Sequence, residues 1–308
     1  MKIKYEEHKF NQKSLDLIEC INSVITEYSQ QGYDLTLRQT YYQLVARCLI
    51  ENTEKSYKRT GDLINNARLA GLIDWNAITD RTRNLRGSVS NFTPAEIIET
   101  QARYFHLNNW TNQPNYVEVW IEKDALIDVV GTACYKTDTP FFSCRGYCSQ
   151  SEMWQAAQRF IRKNNCNGHY IIYLGDHDPS GIDMTRDIYN RMKLFGASVE
   201  VRRIALTMEQ IKTFNPPPNP AKITDKRAKA YIKKFGKSSW ELDALEPQFI
   251  GQLIDSEICP LMDEQILAET RALELEQQRE LQFICNHYHD ITSYQKRFFL
   301  ETIRQSID

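Results

Sequence analysis

The chain lacks any apolar run of about 18 residues, the length a helix needs to cross a bilayer, so no membrane span is expected. It also lacks a surplus of positive charge. Lys and Arg number 38 against 40 Asp and Glu, a formal net charge of −2, so a nucleic-acid surface has to be a local patch rather than a global property. The N-terminal stretch Met1-Lys-Ile-Lys-Tyr-Glu-Glu7 has no apolar core of a secretion signal, and a cytoplasmic location is expected. The eight Cys are scattered, which fits reduced thiols better than a disulfide framework. The closest pair, Cys144 and Cys148, has no second pair to complete a zinc site. A phosphate-binding P-loop is also missing. Gly236-Lys237-Ser238 ends like one, but Tyr231 stands where its first Gly belongs. There is no internal repeat and no low-complexity tract.

What the chain does have is a clear alternation of element types. Leu15, Ile18, Ile21, Val24, Ile25 and Tyr28 recur at helical steps and predict a helix over 12–30. Thr36 reads as an N-cap for a second helix over 37–50, and a third follows over about 56–70. Three short helices followed by a hairpin-like segment with Arg81, Arg83 and Arg86 suggest a winged helix-turn-helix, with these arginines suited to phosphate contacts. A plain solvated face, or a protein-interaction module, is the other reading. Thr93-Pro-Ala-Glu96 predicts another helix start.

From Tyr116 onward the pattern becomes strand, helix, strand, helix. Strands are expected at Tyr116 to Ile121, at Phe141-Phe142, at His169 to Leu174 and at Val199 to Leu206, so the fold class is α/β with a mainly parallel sheet. Two of these strands end in carboxylates: Glu122 after the first, Asp176 and Asp178 after the third. Side chains two apart on extended backbone face the same way, so the Asp pair could face one point at the carboxyl edge, where open α/β sheets bind ligands. Hard oxygen donors suit Mg²⁺. The competing reading is a polar turn with solvated carboxylates. The turn Pro179-Ser180-Gly181 then leads to a helix over 182–195.

After Thr207 the character changes. Asn215-Pro-Pro-Pro-Asn-Pro220 must be a rigid loop. Residues 222–237 hold seven Lys and Arg against one Asp. Lys222, Lys226 and Arg227 are therefore candidate DNA contacts, with a solvated helix face as the alternative. Residues 257–280 are acidic and would repel DNA.

Three motifs in order carry a family resemblance. Arg38-Gln-Thr-Tyr41-Tyr42, Ile121-Glu-Lys-Asp-Ala-Leu126 and Gly175-Asp-His-Asp-Pro-Ser-Gly-Ile-Asp183 resemble those of the topoisomerase VI A subunit and related meiotic double-strand-break proteins, in which a winged helix precedes a Toprim domain. The resemblance covers roughly residues 30–205, in the manner of the freestanding short versions called mini-A proteins. It implies a winged-helix domain over 1–110 and a Toprim domain over 111–206; residues 207–308, beyond the resemblance, read as a basic loop and a helical C-terminal extension. It implies Mg²⁺-dependent cleavage of double-stranded DNA by transesterification. Tyr42 is the implied nucleophile, with Tyr41 second, Arg38 an active-site or phosphate Arg, and Glu122, Asp176 and Asp178 the metal and acid–base set. It further implies a homodimer in which the Tyr of one subunit meets the metal site of the other. An ATPase, if one is used, would have to be a separate polypeptide. The rival readings are a Toprim metal nuclease using water, with Tyr42 structural, and a DNA-binding protein that does not cleave.

Overall fold

The computed structural model describes residues 1–78, 93–220, 225, 227–295 and 297. Two compact units emerge: Met1–Asn84 with Pro114–Leu261, and Leu85–Gln113 with Met262–Asp308. The first unit thus draws residues from all three of the expected domains.

The first unit opens with helices α1 (Gln12–Gln30), α2 (Leu37–Ala46) and α3 (Glu54–Leu69). Their apolar stripes close on one another. Ile18, Ile21 and Val24 of α1, Leu44 of α2 and Ile64 and Ala67 of α3 form one buried cluster, completed by Leu35 and Ile73. α2 begins where expected because Thr36 and Gln39 form a reciprocal capping box. It stops at Ala46, short of the expected 50, and Cys48 takes a positive φ of 56° in the turn that follows. A winged helix-turn-helix needs its hairpin, and the expected hairpin residues, Arg81, Arg83 and Arg86, lie outside the described residues.

The rest of the unit is α/β. After α4 (Pro94–Tyr104), which belongs to the second unit, come β1 (Asn115–Ile121), α5 (Ile127–Cys134), β2 (Phe141–Ser143), α6 (Gln150–Arg162), β3 (Gly168–Leu174), α7 (Pro179–Leu194) and β4 (Glu200–Ala205). The sheet is four-stranded, in the order β2-β1-β3-β4. Every pairing is parallel: Ile121 lies beside Ser143 and Leu174, and Leu174 beside Ala205. The β1 side chains alternate. Tyr116 and Trp120 join the core under α6 and α7, with Met153, Phe160, Met184 and Ile188, while the buried Val117, Val119 and Ile121 belong to the opposite set.

Glu118 points into the α6–α7 side and is 1% exposed, which would be costly for a lone charge. It is not alone. Arg159 forks onto it at 2.8 and 2.9 Å, Tyr116 Oη donates at 2.9 Å and Trp120 Nε1 at 2.8 Å.

Past the sheet run α8 (Met208–Phe214), β5 (Asn219–Pro220), α9 (Ala228–Phe235), β6 (Ser238–Ser239) and α10 (Pro247–Ile258). The proline-rich stretch is a loop, as expected, until Asn219–Pro220 pairs antiparallel with Ser238–Ser239 in a two-residue ribbon. Pro220 can sit there because the ribbon is all edge.

The second unit contains α4 and α11 (Glu264–Asn286). Thr93 and Glu96 form the expected capping box of α4, and Asp263 caps α11. Leu107 N–H donates to Glu274 at 2.7 Å and Gln278 to the Phe105 carbonyl at 2.7 Å. Among the described residues no helix is long and apolar enough to cross a membrane.

Candidate active site

The carboxyl edge of the sheet is where the chemistry collects. β1 delivers Glu122 and Lys123, and β3 delivers the turn Gly175 to Asp178. Glu122 Oε2 accepts the Asp176 backbone N–H at 2.9 Å, which ties the two strand ends together. Two glycines make room for this carboxylate. A Cβ on Gly175 would lie 2.8 Å from Glu122 Oε2 and 2.6 Å from Tyr173 Oη. One on Gly181 would lie 3.0 Å from Glu122 Oε2 and 2.2 Å from the Asp176 carbonyl oxygen.

The Asp pair does not behave as two side chains on one extended strand. β3 ends at Leu174, and the two carboxylates take different tasks. Asp176 Oδ1 accepts the Leu242 N–H at 2.8 Å and Oδ2 lies 3.0 Å from Lys123 Nζ. Asp178 is the N-cap of α7: its Oδ1 accepts Gly181 N–H at 2.6 Å and Ser180 Oγ–H at 2.8 Å. α7 therefore starts at Pro179, three residues earlier than expected, because Asp followed by Pro supplies an N-cap and a first helical residue. Among the described residues no group of three or more His, Cys, Asp or Glu is arranged to hold a metal. The donor set itself, three carboxylates from two strand ends, suits a hard cation. Burial, then their facing charges, pushes the Glu122 carboxyl up, and burial pushes Asp176 up despite Lys123. A divalent cation would relieve that crowding.

Arg203, on β4, holds the turn from the other side. Its Nη1 donates to the Gly181 carbonyl at 2.9 Å, and its Nη2 to the Gly175 and Asp176 carbonyls at 2.8 and 2.7 Å. His177 faces away from the site and into an aromatic nest of Tyr231, Phe235 and Trp240, with its Nδ1 2.8 Å from Tyr231 Oη. Burial lowers its pKa to about 4, so the imidazole is neutral at pH 7. His177 also exchanges backbone hydrogen bonds with Trp240 at 2.9 and 3.0 Å, which fastens the segment after β6 to the Asp-x-Asp turn.

That fastening brings the tyrosines and the carboxylates together. Arg38, Tyr41 and Tyr42 of α2 line a cavity of about 370 Å³ with Asp176, Asp178, Asn219, Trp240 and Glu241. The motifs that the resemblance divides between two subunits meet here within one chain. Glu122 does not line this cavity. A larger hollow, about 950 Å³, lies beside β3, α7 and the start of β4 and holds none of these residues.

The two tyrosines are not equivalent. Tyr41 Oη accepts Thr53 N–H at 3.0 Å and lies within 3.2 Å of the Glu51 and Thr53 carbonyl oxygens and of Asn52 Oδ1. It is committed to holding the α2–α3 connection. Tyr42 instead lines the cavity with Asn219 and Glu241, and burial followed by the Glu241 charge pushes its pKa up to about 12. The Arg38 guanidinium stands 5.9 Å from the Tyr42 ring centre.

Glu241 and its neighbours are functional candidates that local sequence patterns do not mark. Lys123 Nζ lies 2.8 Å from Glu241 Oε2 and 2.7 Å from Asp243 Oδ2. Arg38 Nη2 also bonds Glu241 Oε2, and Arg38 Nε is 3.5 Å from Asp243 Oδ2. Of the expected DNA contacts, Arg227 forks onto Asp225 at 2.8 and 2.9 Å and bonds Asp183 at 3.2 Å. Lys222 and Lys226, like Arg81, Arg83 and Arg86, lie outside the described residues. No protein-family model matches this chain, and no curated protein matches it.

Proposed function

We propose that this chain cleaves double-stranded DNA by transesterification through Tyr42. The observation that carries the proposal is the shared cavity: Arg38 and Tyr42 line it together with Asp176 and Asp178. Tyr42 oxygen forms a bond to phosphorus as the bond from phosphorus to one deoxyribose oxygen breaks. The phenol loses its proton and the sugar oxygen gains one. The phosphotyrosine product conserves the energy of the phosphodiester, so the reverse step reseals the strand.

A phenol held protonated up to about 12 is a poor nucleophile at neutral pH, so the site must stabilise the phenolate as it forms. Arg38 and the Asn219 amide are placed for that. Mg²⁺, when bound by Glu122, Asp176 and Asp178, would offset charge building on the phosphate. A Toprim-type domain on a winged helix is the architecture we infer for these parts, with a homodimer supplying one tyrosine per strand. DNA phosphates outside the site are assigned to Arg81, Arg83, Arg86, Lys222, Lys226 and Arg227.

The second reading, metal-dependent hydrolysis with water as nucleophile, is favoured by one observation: that same raised Tyr42 pKa. The two are separated by incubating the protein with duplex DNA and Mg²⁺ and denaturing it. Protein covalently attached to DNA in wild type and absent in Tyr42→Phe supports the tyrosine. Cleavage without attachment, unchanged in Tyr42→Phe, supports water.

A further inference from the structure

The Glu241 carboxylate occupies an unusual position for an acidic side chain beside other acids. Its Oε2 receives both Arg38 Nη2 and, at 2.8 Å, Lys123 Nζ. Its Oε1 lies 3.4 Å from the Asn219 amide nitrogen. The Tyr42 hydroxyl faces the same carboxylate across the cavity they line, close enough for the Glu241 charge to raise its pKa. A guanidinium, an ammonium, an amide and a phenol converging on one anion are the donor types that bind nucleic-acid phosphates.

We propose that the seat of the Glu241 carboxylate is a phosphodiester-binding site, filled by the protein's own side chain when no nucleic acid is bound. The identity of the ligand as DNA rests on the cleavage reading; the existence of an anion seat does not.

The charge count permits the exchange. Arg38 and Lys123 supply two positive charges, and Glu241, Asp243 and Asp176 supply three negative ones, a formal sum of −1. A phosphodiester carries one negative charge, as the carboxylate does. Replacing one by the other leaves the sum unchanged, so Asp243 and Asp176 keep their cations throughout.

The backbone need not move. Trp240 is bonded on one side of Glu241 to His177, and Leu242 N–H on the other side to Asp176. Glu241 is thus held between two fixed points, and only its side chain has to swing. That side chain is 22% exposed and lines the open cavity, so a path to solvent exists. The arriving phosphate would lie in the cavity that Tyr42 lines, on the side of its hydroxyl. Self-occupancy also keeps Tyr42 capped by a carboxylate until a phosphate displaces it.

The test uses the full chain, with Glu241→Ala and Glu241→Gln, and inorganic phosphate and a short duplex as probes. Competition from a built-in anion lowers apparent affinity by the fraction of time the seat is open. Glu241→Ala should therefore bind inorganic phosphate at least about tenfold more tightly than wild type. Its affinity for the short duplex should rise likewise, because the same phosphate contact forms without first displacing a carboxylate. Both gains should vanish when Arg38→Ala is added. If Glu241→Ala fails to fold, Glu241→Gln gives the same reading, since it keeps the shape and removes the competing charge. A Glu241 that is only a structural ion pair predicts phosphate affinity no higher than wild type in whichever variant folds, and that result overturns the inference. Covalent attachment to DNA without any gain in phosphate affinity removes the seat and leaves the cleavage reading standing. A gain without attachment does the reverse.

Discussion

Glu122 Oε2 accepts the backbone N–H of Asp176 at 2.9 Å, and this one hydrogen bond joins the ends of two neighbouring parallel strands. It continues the β1–β3 ladder, whose last backbone bond runs from Glu122 N–H to the Leu174 carbonyl at 2.8 Å. The glycine at 175 in the turn and the one at 181 in the first turn of α7 both leave room for the Glu122 carboxylate.

A methyl group at position 181 has no room. Its nearest neighbour would be the Asp176 carbonyl oxygen at 2.2 Å, a backbone atom fixed by Arg203. Gly181→Ala should destabilise the protein by about 1–3 kcal/mol, the usual cost of overpacking a filled site. DNA cleavage should fall further than the loss of folded protein explains, because Glu122 is displaced with the turn. Thermal melting and cleavage rates of the folded fraction, measured together, check this.

Removing the clamp itself should be costlier. Arg203 donates to three carbonyl oxygens, those of Gly175 and Asp176 in the turn and of Gly181 in the first turn of α7. Hydrogen bonds to charged groups contribute about 1.5–3 kcal/mol each, so Arg203→Met should cost about 3 kcal/mol or more in denaturant unfolding. A cost below about 1 kcal/mol would show that the turn is held by its other bonds.

The Tyr41 and Tyr42 pair separates packing from chemistry. Tyr41→Phe removes the acceptor of Thr53 N–H and should cost about 1 kcal/mol of stability while DNA cleavage persists. Loss of cleavage in this variant at full folding would place the nucleophile at Tyr41.

Asp183 gives the protein a pH signature. Its pKa is lowered to about 2, first by the hydrogen bond from Arg186, against burial, and then by Tyr147 and Arg227. A depressed carboxylate contributes stability that is present above its unfolded pKa and lost as pH falls through the folded one. The window is therefore about pH 4 down to about pH 2. Its partners Arg186 and Arg227 are 63% and 39% exposed, so screening reduces the contribution to about 1 kcal/mol. Asp183→Asn should be less stable than wild type at pH 7, and the gap should close as the pH approaches 2. A gap that holds constant with pH would assign the loss to packing.

The sheet was readable in the sequence because its strands are short apolar or alternating runs bounded by turn residues. β1 and β3 fall within a residue of expectation at both ends. The N-cap at Thr36 and the capping box at Thr93 were equally plain, since each is a short local signal. Asp178 as a helix cap is also written locally, in Asp-Pro, within the same Asp-x-Asp that reads as a pair of metal ligands. The rest of the site is not local. Arg38 meets Glu241 across 203 positions, and Asp176 meets Leu242 across 66. No periodicity encodes such partners, so Asn219 was hidden in the proline loop, and Glu241 and Asp243 in a stretch, 240–245, that reads only as the start of a helical C-terminal region. Arg203 was hidden differently: it stands beside Arg202 in β4, and nothing in Glu200-Val-Arg-Arg-Ile-Ala205 tells which arginine turns to the site.

The most direct measurement of the central claim is the identity of the residue joined to DNA. Wild-type protein is incubated with duplex DNA and Mg²⁺, denatured, digested with nuclease and protease, and the nucleotide-bearing peptide is located by mass spectrometry. The account predicts a phosphotyrosine linkage at Tyr42, abolished by Tyr42→Phe and retained in Tyr41→Phe. Cleaved DNA free of attached peptide, at an equal rate in wild type and Tyr42→Phe, would contradict it.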